Sequence, residues 1–294
     1  MAATGAMAQS GAKFLQGETV TQNRNVSPNG KYVVGGGTLD KTWGLDNIRG
    51  FDSYIWDTET DVIETVTTFG GQDDYANAGY LTDVNDDKVI CGYFKDDNYK
   101  LTMTELGYTN TLPLNVAAVW KDGQRTSLGL GGRDVSDFEY FFDGSFATAI
   151  SNDSKTVVGY IGIGNLAQMY PCAWVLDETT GEYEYKEYAM PEGAIRARIA
   201  DVSGDGSIAV GWGEYTGDNV GTKACIWFKP DSCVIVEDPD HVSGDQLKGR
   251  ATCISPNGQF VGMTLNGSTP CSTIRSARTL SPIVPNIRTT TVPT

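Results

Sequence analysis

Asp201-Val-Ser-Gly-Asp-Gly-Ser-Ile-Ala-Val-Gly211 decides the fold, because the chain carries its pattern five times. The other copies are Asn25-Val-Ser-Pro-Asn-Gly-Lys-Tyr-Val-Val-Gly35, Asp83-Val-Asn-Asp-Asp-Lys-Val-Ile-Cys-Gly92, Ala149-Ile-Ser-Asn-Asp-Ser-Lys-Thr-Val-Val-Gly159 and Cys253-Ile-Ser-Pro-Asn-Gly-Gln-Phe-Val-Gly262. Taking the Val or Ile before the Ser/Asn position as marker, the copies stand at 26, 84, 150, 202 and 254, at intervals of 58, 66, 52 and 52. In each, an apolar residue ends one strand and the Ser/Pro/Asn/Asp/Gly run supplies a turn with positive φ. A Val-Val-Gly type run then opens a second strand, so every copy reads as a β-hairpin. Copies two and five are one residue shorter between marker and glycine. A deletion inside a strand would turn its side chains to the wrong face, so the shortening is expected in the turn.

A second column follows in four copies: Tyr54-Ile-Trp56, Ala118-Val-Trp120, Cys172-Ala-Trp174 and Cys225-Ile-Trp227. Each leads through a polar turn into another apolar stretch, such as Val62-Ile63 or Val234-Ile235-Val236. One repeat is therefore strand, tight turn, strand, loop, Trp strand, turn, strand. Four antiparallel strands at a period near 50 residues form one propeller blade. The expected fold is all-β: a β-propeller of four-stranded antiparallel blades, about five in number, with an incomplete six- to eight-bladed propeller as the alternative. The tryptophans are expected to pack between blades. The propeller is assigned to residues 12–274, and residues 275–294 to a Pro/Thr-rich tail without acidic residues. If the ring closes, Phe14-Leu15-Gln16 supplies the outer strand of the fifth blade.

The run Ala117-Ala-Val-Trp-Lys-Asp-Gly through Leu128-Gly to Ala149-Ile-Ser and Val-Val-Gly-Tyr160 resembles the extracellular HAF-type bacterial repeats. The Ser-Pro-Asn-Gly turns are similar, more loosely, to the Ser-Pro-Asp-Gly turns of WD40-like and TolB-type propellers. The resemblance spans about residues 25–262; it implies a propeller-like fold and export, and it brings no catalytic residue. Export to the periplasm, cell surface or medium also fits Ala6-Met7-Ala8 before Gln9, the small-x-small pattern that ends a signal peptide. Residues 1–11 are read as a signal remnant or flexible start.

Composition narrows the function. A net charge of −15 argues against nucleic acid, whose phosphates need clustered Lys and Arg. The chain has no apolar run long enough to span a membrane as a helix, and a monomer is expected. The six cysteines form no CxxC pair and there is a single histidine, His241, so neither a metal site nor a cofactor is expected. Cys225 and Cys233 flank a short turn and could bridge across it after export; the other four cysteines are read as small buried hydrophobes.

Alternating strands place the short turns within each hairpin on one face and the long connections on the other. The long ones include about Gly36–Asp52, Phe94–Val116, Leu130–Ser145 and Asp238–Lys248, and such loops are where function concentrates. Trp43, Tyr99, Phe141, Trp212 and Tyr215 are the candidate ligand-binding residues there. Asp46, Asp73, Asp74, Asp96 and Asp97 accompany them, as do Asp143, Glu214 and Asp218. Rings beside carboxylates suit a glycan, a peptide or another protein. A non-catalytic binding propeller is the preferred reading, with no catalytic residue named. A propeller glycoside hydrolase or lyase using acids of the same face is the alternative. His241 has no identifiable serine partner and reads as a solvated loop residue.

Overall fold

The computed structural model describes residues 21–37, 52–66, 80–105, 108–217, 220–237, 246–265 and 273–276. The expected start (1–11), the strand Phe14–Gln16, Trp43, His241 and nearly all of the tail lie outside them. The described chain is almost entirely β. A first antiparallel meander is formed by β1 (Thr21–Val26), β2 (Tyr32–Gly37), β3 (Asp52–Asp57) and β4 (Val62–Val66). A second is β5 (Tyr80–Val84), β6 (Ile90–Glu105), β7 (Tyr108–Lys121) and β8 (Gln124–Ser127). The third is β9 (Gly144–Ile150), β10 (Thr156–Ile163), β11 (Gln168–Asp177) and β12 (Glu182–Glu187). It touches the second sheet through one parallel pair, Asn115 with Gly144. The fourth is β13 (Arg196–Val202), β14 (Ala209–Tyr215), β15 (Gly221–Lys229) and β16 (Ser232–Val236), with the short β17 (Leu247–Lys248) parallel to β15. A fifth unit holds β18 (Arg250–Ile254), β19 (Phe260–Thr264) and β20 (Thr273–Ser276). β20 runs across the boundary expected at 274.

The units pack in chain order. The first strand of each makes the contact to the unit before it: β5 lies on β1 and β2, β9 on β5 and β6, β13 on β9 and β10, β18 on β13 and β14. The hydrophobic core is correspondingly divided into clusters that lie between sheets. The Trp column fills these spaces. Trp56 pairs with Val33, Trp120 with Ile90, Trp174 with Val157 and Trp227 with Ala209, one equivalent position in four units. Trp174 and Trp227 are fully buried, and Trp56 and Trp120 nearly so.

Each first strand also bulges at the same place. The extra residues are Arg24, Thr82, Thr148, Ala200 and Thr252. A bulge bends the strand and raises its twist, which suits a blade's inner edge. It also explains the glycine of the repeat. A Cβ on Gly92, Gly159 or Gly211 would lie 2.0, 1.9 or 2.1 Å from the carbonyl oxygen of Tyr80, Phe146 or Arg198 on the bulged strand.

The hairpin turn owes its sequence to one hydroxyl. Ser203 Oγ donates to Asp205 Oδ1 (2.7 Å), while the Ile208 amide donates to Ser203 Oγ (3.0 Å). Ser27, Ser151 and Ser255 repeat both bonds. In copy two Asn85 replaces the serine, and its amide bonds the Val89 carbonyl four residues on instead of five, so the shortening there does lie in the turn. Copy five corrects the expectation. Its turn has full length, with the Ser255 amide on the Phe260 carbonyl. Instead the glycine has moved one place along β19: Gly262 pairs with Cys253, and Met263 takes the position opposite Ala251 that Gly211 takes opposite Ile199.

The cysteines divide. Cys91 and Cys172 are buried in strands, as expected, but Cys253 is exposed because it occupies an outward position of β18. Cys225 and Cys233 lie on one face of the β15–β16 hairpin and are not bridged in this structure.

Candidate functional site

The short turns are not a free surface. The Asn29 amide donates to Asp86 Oδ1 (2.8 Å) of the next unit. The Asp86 amide donates to Asn152 Oδ1 (3.0 Å), and Asn152 Nδ2 returns a bond to Asp86 Oδ2 (3.0 Å). The Asp153 amide reaches the Gly204 carbonyl, and the Gly204 amide the Pro256 carbonyl. The turns are thus joined unit to unit along the described chain.

The opposite end differs from expectation in two respects. The connection expected as a loop at Phe94–Val116 is a hairpin: β6 and β7 continue to Glu105 and Tyr108, with a bulge between Asp96 and Lys100. The connection Leu130–Ser145 is packed as well. Leu130 and Phe138 are buried with Leu101 and Leu114, around a 3-10 turn at Val135–Asp137.

The carboxylates there are held by the fold. Asp143 is fully buried and accepts the amides of Glu139, Tyr140, Gly164 and Asn165, tying this segment to the β10–β11 turn. Asp96 accepts from Asn98 and Ser127. Glu214 takes Arg196 Nε (2.8 Å) and Nη2 (2.7 Å), and Asp97 pairs with Lys100. Asp46, Asp73, Asp74 and Asp218 lie outside the described residues. Beside Asp143, Lys95 donates to the Phe141 carbonyl, and burial pushes its pKa down to about 8.

Two further acids sit on the inner strands. Asp83 accepts the Val84 amide (2.8 Å) on one oxygen and the Ile150 amide of the next unit (2.9 Å) on the other. Asp201 does the same with Val202 (2.8 Å) and Ile254 (2.7 Å). Burial, and then the charge of Asp201, push Asp83 up to about 8; burial pushes Asp201 to about 6. Perturbed, mutually repelling carboxylates are what an acid–base pair looks like, but here every oxygen already accepts a backbone amide.

The predicted aromatics do not share one surface. Tyr99 and Phe141 are half-buried against the cluster between the first three units, leaving Tyr140 and, more fully, Phe142 as exposed rings beside them, the latter at 69%. Trp212 and Tyr215 are 9% and 8% exposed and, three residues apart on β14, point to opposite sides of it. Tyr215 looks toward Lys223, and Trp212 looks toward the fifth unit.

Trp212 ends a succession of cations and rings that runs along the long-connection end of the inner strands. The Arg24 guanidinium lies 3.0 Å over the Tyr80 ring and donates to the Leu81 carbonyl. Tyr80 stacks on Tyr93 (4.8 Å), Tyr93 meets Phe146 edge-on (4.9 Å), and Phe146 stacks on Tyr160 (4.9 Å). The Tyr160 hydroxyl, pushed up by burial, is eased by the neighbouring Arg198 guanidinium. Arg198 stands 4.2 Å from the Trp212 ring and Arg250 5.1 Å from it. Reading from sequence missed this group, although its address is regular. Tyr80, Phe146, Arg198 and Arg250 each stand four residues before a marker, and Tyr93, Tyr160 and Trp212 each follow the repeat glycine.

Among the described residues no cluster of three or more His, Cys, Asp or Glu could hold a metal ion, and no helix is long and apolar enough to cross a membrane. No protein-family model matches the chain, and no curated protein matches it. Among solved structures it is similar to prolyl oligopeptidase B from Galerina marginata bound to a macrocyclization substrate, at TM-score 0.50 and 13% identity over 88% of this chain. The match spans 34% of that protein, about a third of its length. It is also similar to the β-propeller domain of the Trilobed protease from Pyrococcus furiosus, at TM-score 0.42 and 8% identity, over 87% of this chain and 79% of that one. With the sequential antiparallel sheets, the first likeness shows a propeller-type fold and nothing about activity.

Proposed function

We propose that the chain is a non-catalytic, exported, monomeric propeller of about five blades that binds a partner through its long-connection end. The observation that carries this is the fate of the carboxylates. At that end the three candidate acids Asp96, Asp143 and Glu214 are held by amides, hydroxyls or an arginine, so none of the three is a carboxylate free to shuttle protons for a hydrolase or lyase. What remains on offer are exposed rings such as Phe142 and the cationic group around Trp212.

Binding is tested by screening the whole chain against glycan arrays and peptide libraries, with product analysis for turnover. A ligand whose capture falls at least tenfold in Phe142→Ala and is unchanged in Asp87→Ala, on the short-turn end, supports the reading. Cleaved glycan or peptide, or the opposite mutational pattern, overturns it.

A further inference from the structure

We infer that the inner-strand arginines at Trp212 form a site for a lone carboxylate on an otherwise uncharged ligand, as at the C-terminus of a peptide. This rests on the reading of the long-connection end as the binding end. Acidic residues outnumber basic ones 37 to 22 in this chain, yet an arginine stacked on a ring without an ion pair recurs among the described residues, at Arg24 on Tyr80 and Arg133 on Tyr170. Arg196, two residues from Arg198, has Glu214. Among the described residues neither Arg198 nor Arg250 has a carboxylate within ion-pair distance, although both guanidinia face the same ring.

Arg198 shares a hydrogen bond with the Tyr160 hydroxyl, but two donors of the group have no partner. Arg198 Nε is buried without a hydrogen-bond partner among the described residues, and so is the indole Nε1 of Trp212, a side chain more than nine-tenths buried. A buried donor with nothing to donate to is destabilising, and two like charges beside one ring add repulsion. An anion beside the guanidinia offsets the repulsion and supplies an acceptor. A carboxylate matches the planar guanidinium fork, which binds it with two parallel N–H bonds.

The surroundings select the ligand further. The aromatic faces are occupied by one another or by guanidinia, so little ring surface remains on which a neutral sugar could stack. The net charge of −15 repels a polyanion such as a uronate polymer but hardly opposes a single charge. A neutral peptide ending in a free carboxylate meets both conditions, and of the two arginines Arg250 is exposed and Arg198 half-buried.

The test uses the whole chain and a pool of neutral N-acetylated hexapeptides, prepared once as free acids and once as C-terminal amides, followed by tryptophan fluorescence and calorimetry. The free acids should bind at least tenfold more tightly than the amides, with affinity falling as salt rises. R250Q and R198Q should each weaken the free acids at least tenfold while near-UV circular dichroism stays that of the parent. Equal binding of acids and amides, no binding by the acids, or full binding by both variants overturns the inference. So does tighter binding of a uronate oligosaccharide. Neutral glycans or amides captured in a Phe142-dependent manner would sink this site and leave the binding end standing; ligands captured at the short turns would sink both.

Discussion

The two ends of the propeller are built on different principles. At the short-turn end four of the five units repeat one device, a serine hydroxyl closing a turn, with Asn85 in its place in the second, and neighbouring turns bond to each other through Asn29, Asp86, Asn152 and Gly204. At the long-connection end no device repeats in full: Arg24 covers a tyrosine, Phe146 stacks on one, and Arg198 and Arg250 flank a tryptophan. Repetition marks where the fold is held, and its breakdown marks where residues were free to take up something else. A feature is therefore assigned to stability or to recognition by whether its neighbours copy it.

The sharpest way to break this contrast is to remove the support both ends share. Trp174→Ala deletes a fully buried ring between units and should cost about 3–5 kcal/mol in denaturant unfolding. A loss below about 1 kcal/mol would mean the column does not set the spacing of the units.

Ser203→Ala addresses the short-turn end alone. It strips a fully buried hydroxyl of one donated and one accepted bond, and should cost about 1–3 kcal/mol with ligand binding unchanged. Phe142→Ala, at the other end, should change stability by no more than about 0.5 kcal/mol. If the two costs come out equal, the division of labour fails.

A further effect is one of pH. Asp83 is raised in the folded state to about 8 from an ordinary value of 3.8. Below the ordinary value the proton is bound in both states and the full stability is present. As pH rises toward about 8 the unfolded chain has released the proton that the folded one retains, so stability is lost across that window and levels off above it. Asp201 adds a shorter slope ending near 6. Asp83→Asn should flatten the decline in melting temperature between pH 4 and 8, though it weakens one amide bond. A variant as pH-dependent as the parent would place the titration elsewhere.

These differences also explain what could be read in the sequence. The turns were legible because five copies place Ser, Asn or Asp and a positive-φ residue at fixed offsets, as Gly30, Lys88, Ser154, Gly206 and Gly258 show. The Trp column was legible for the same reason. The β6–β7 hairpin was mistaken for a loop because the bulge at Asp97-Asn98-Tyr99 breaks the two-residue alternation with the polar residues that usually mark loops. Copy five misled because its glycine was assumed to stay opposite the bulge, while Met263 stands there instead. The acids looked like candidates because a sequence does not show whether a carboxylate will meet backbone amides. The Arg198–Trp212–Arg250 group escaped notice because its positions repeat while its residue types do not: Tyr80, Phe146, Arg198 and Arg250 stand in turn four places before the marker.

The inner-strand bonds also have a direction in time. Arg24 donates to Leu81, Thr82 Oγ1 to the Ala147 carbonyl, and Thr148 Oγ1 to the Ile199 carbonyl, while Asp83 and Asp201 await the amides of Ile150 and Ile254. Every one of these joins an earlier unit to one translated later. On a ribosome, each meander that emerges therefore holds unspent valences that only its successor can satisfy. The growing chain is left with a reactive leading edge, open to the wrong partner until the next fifty or so residues have been made.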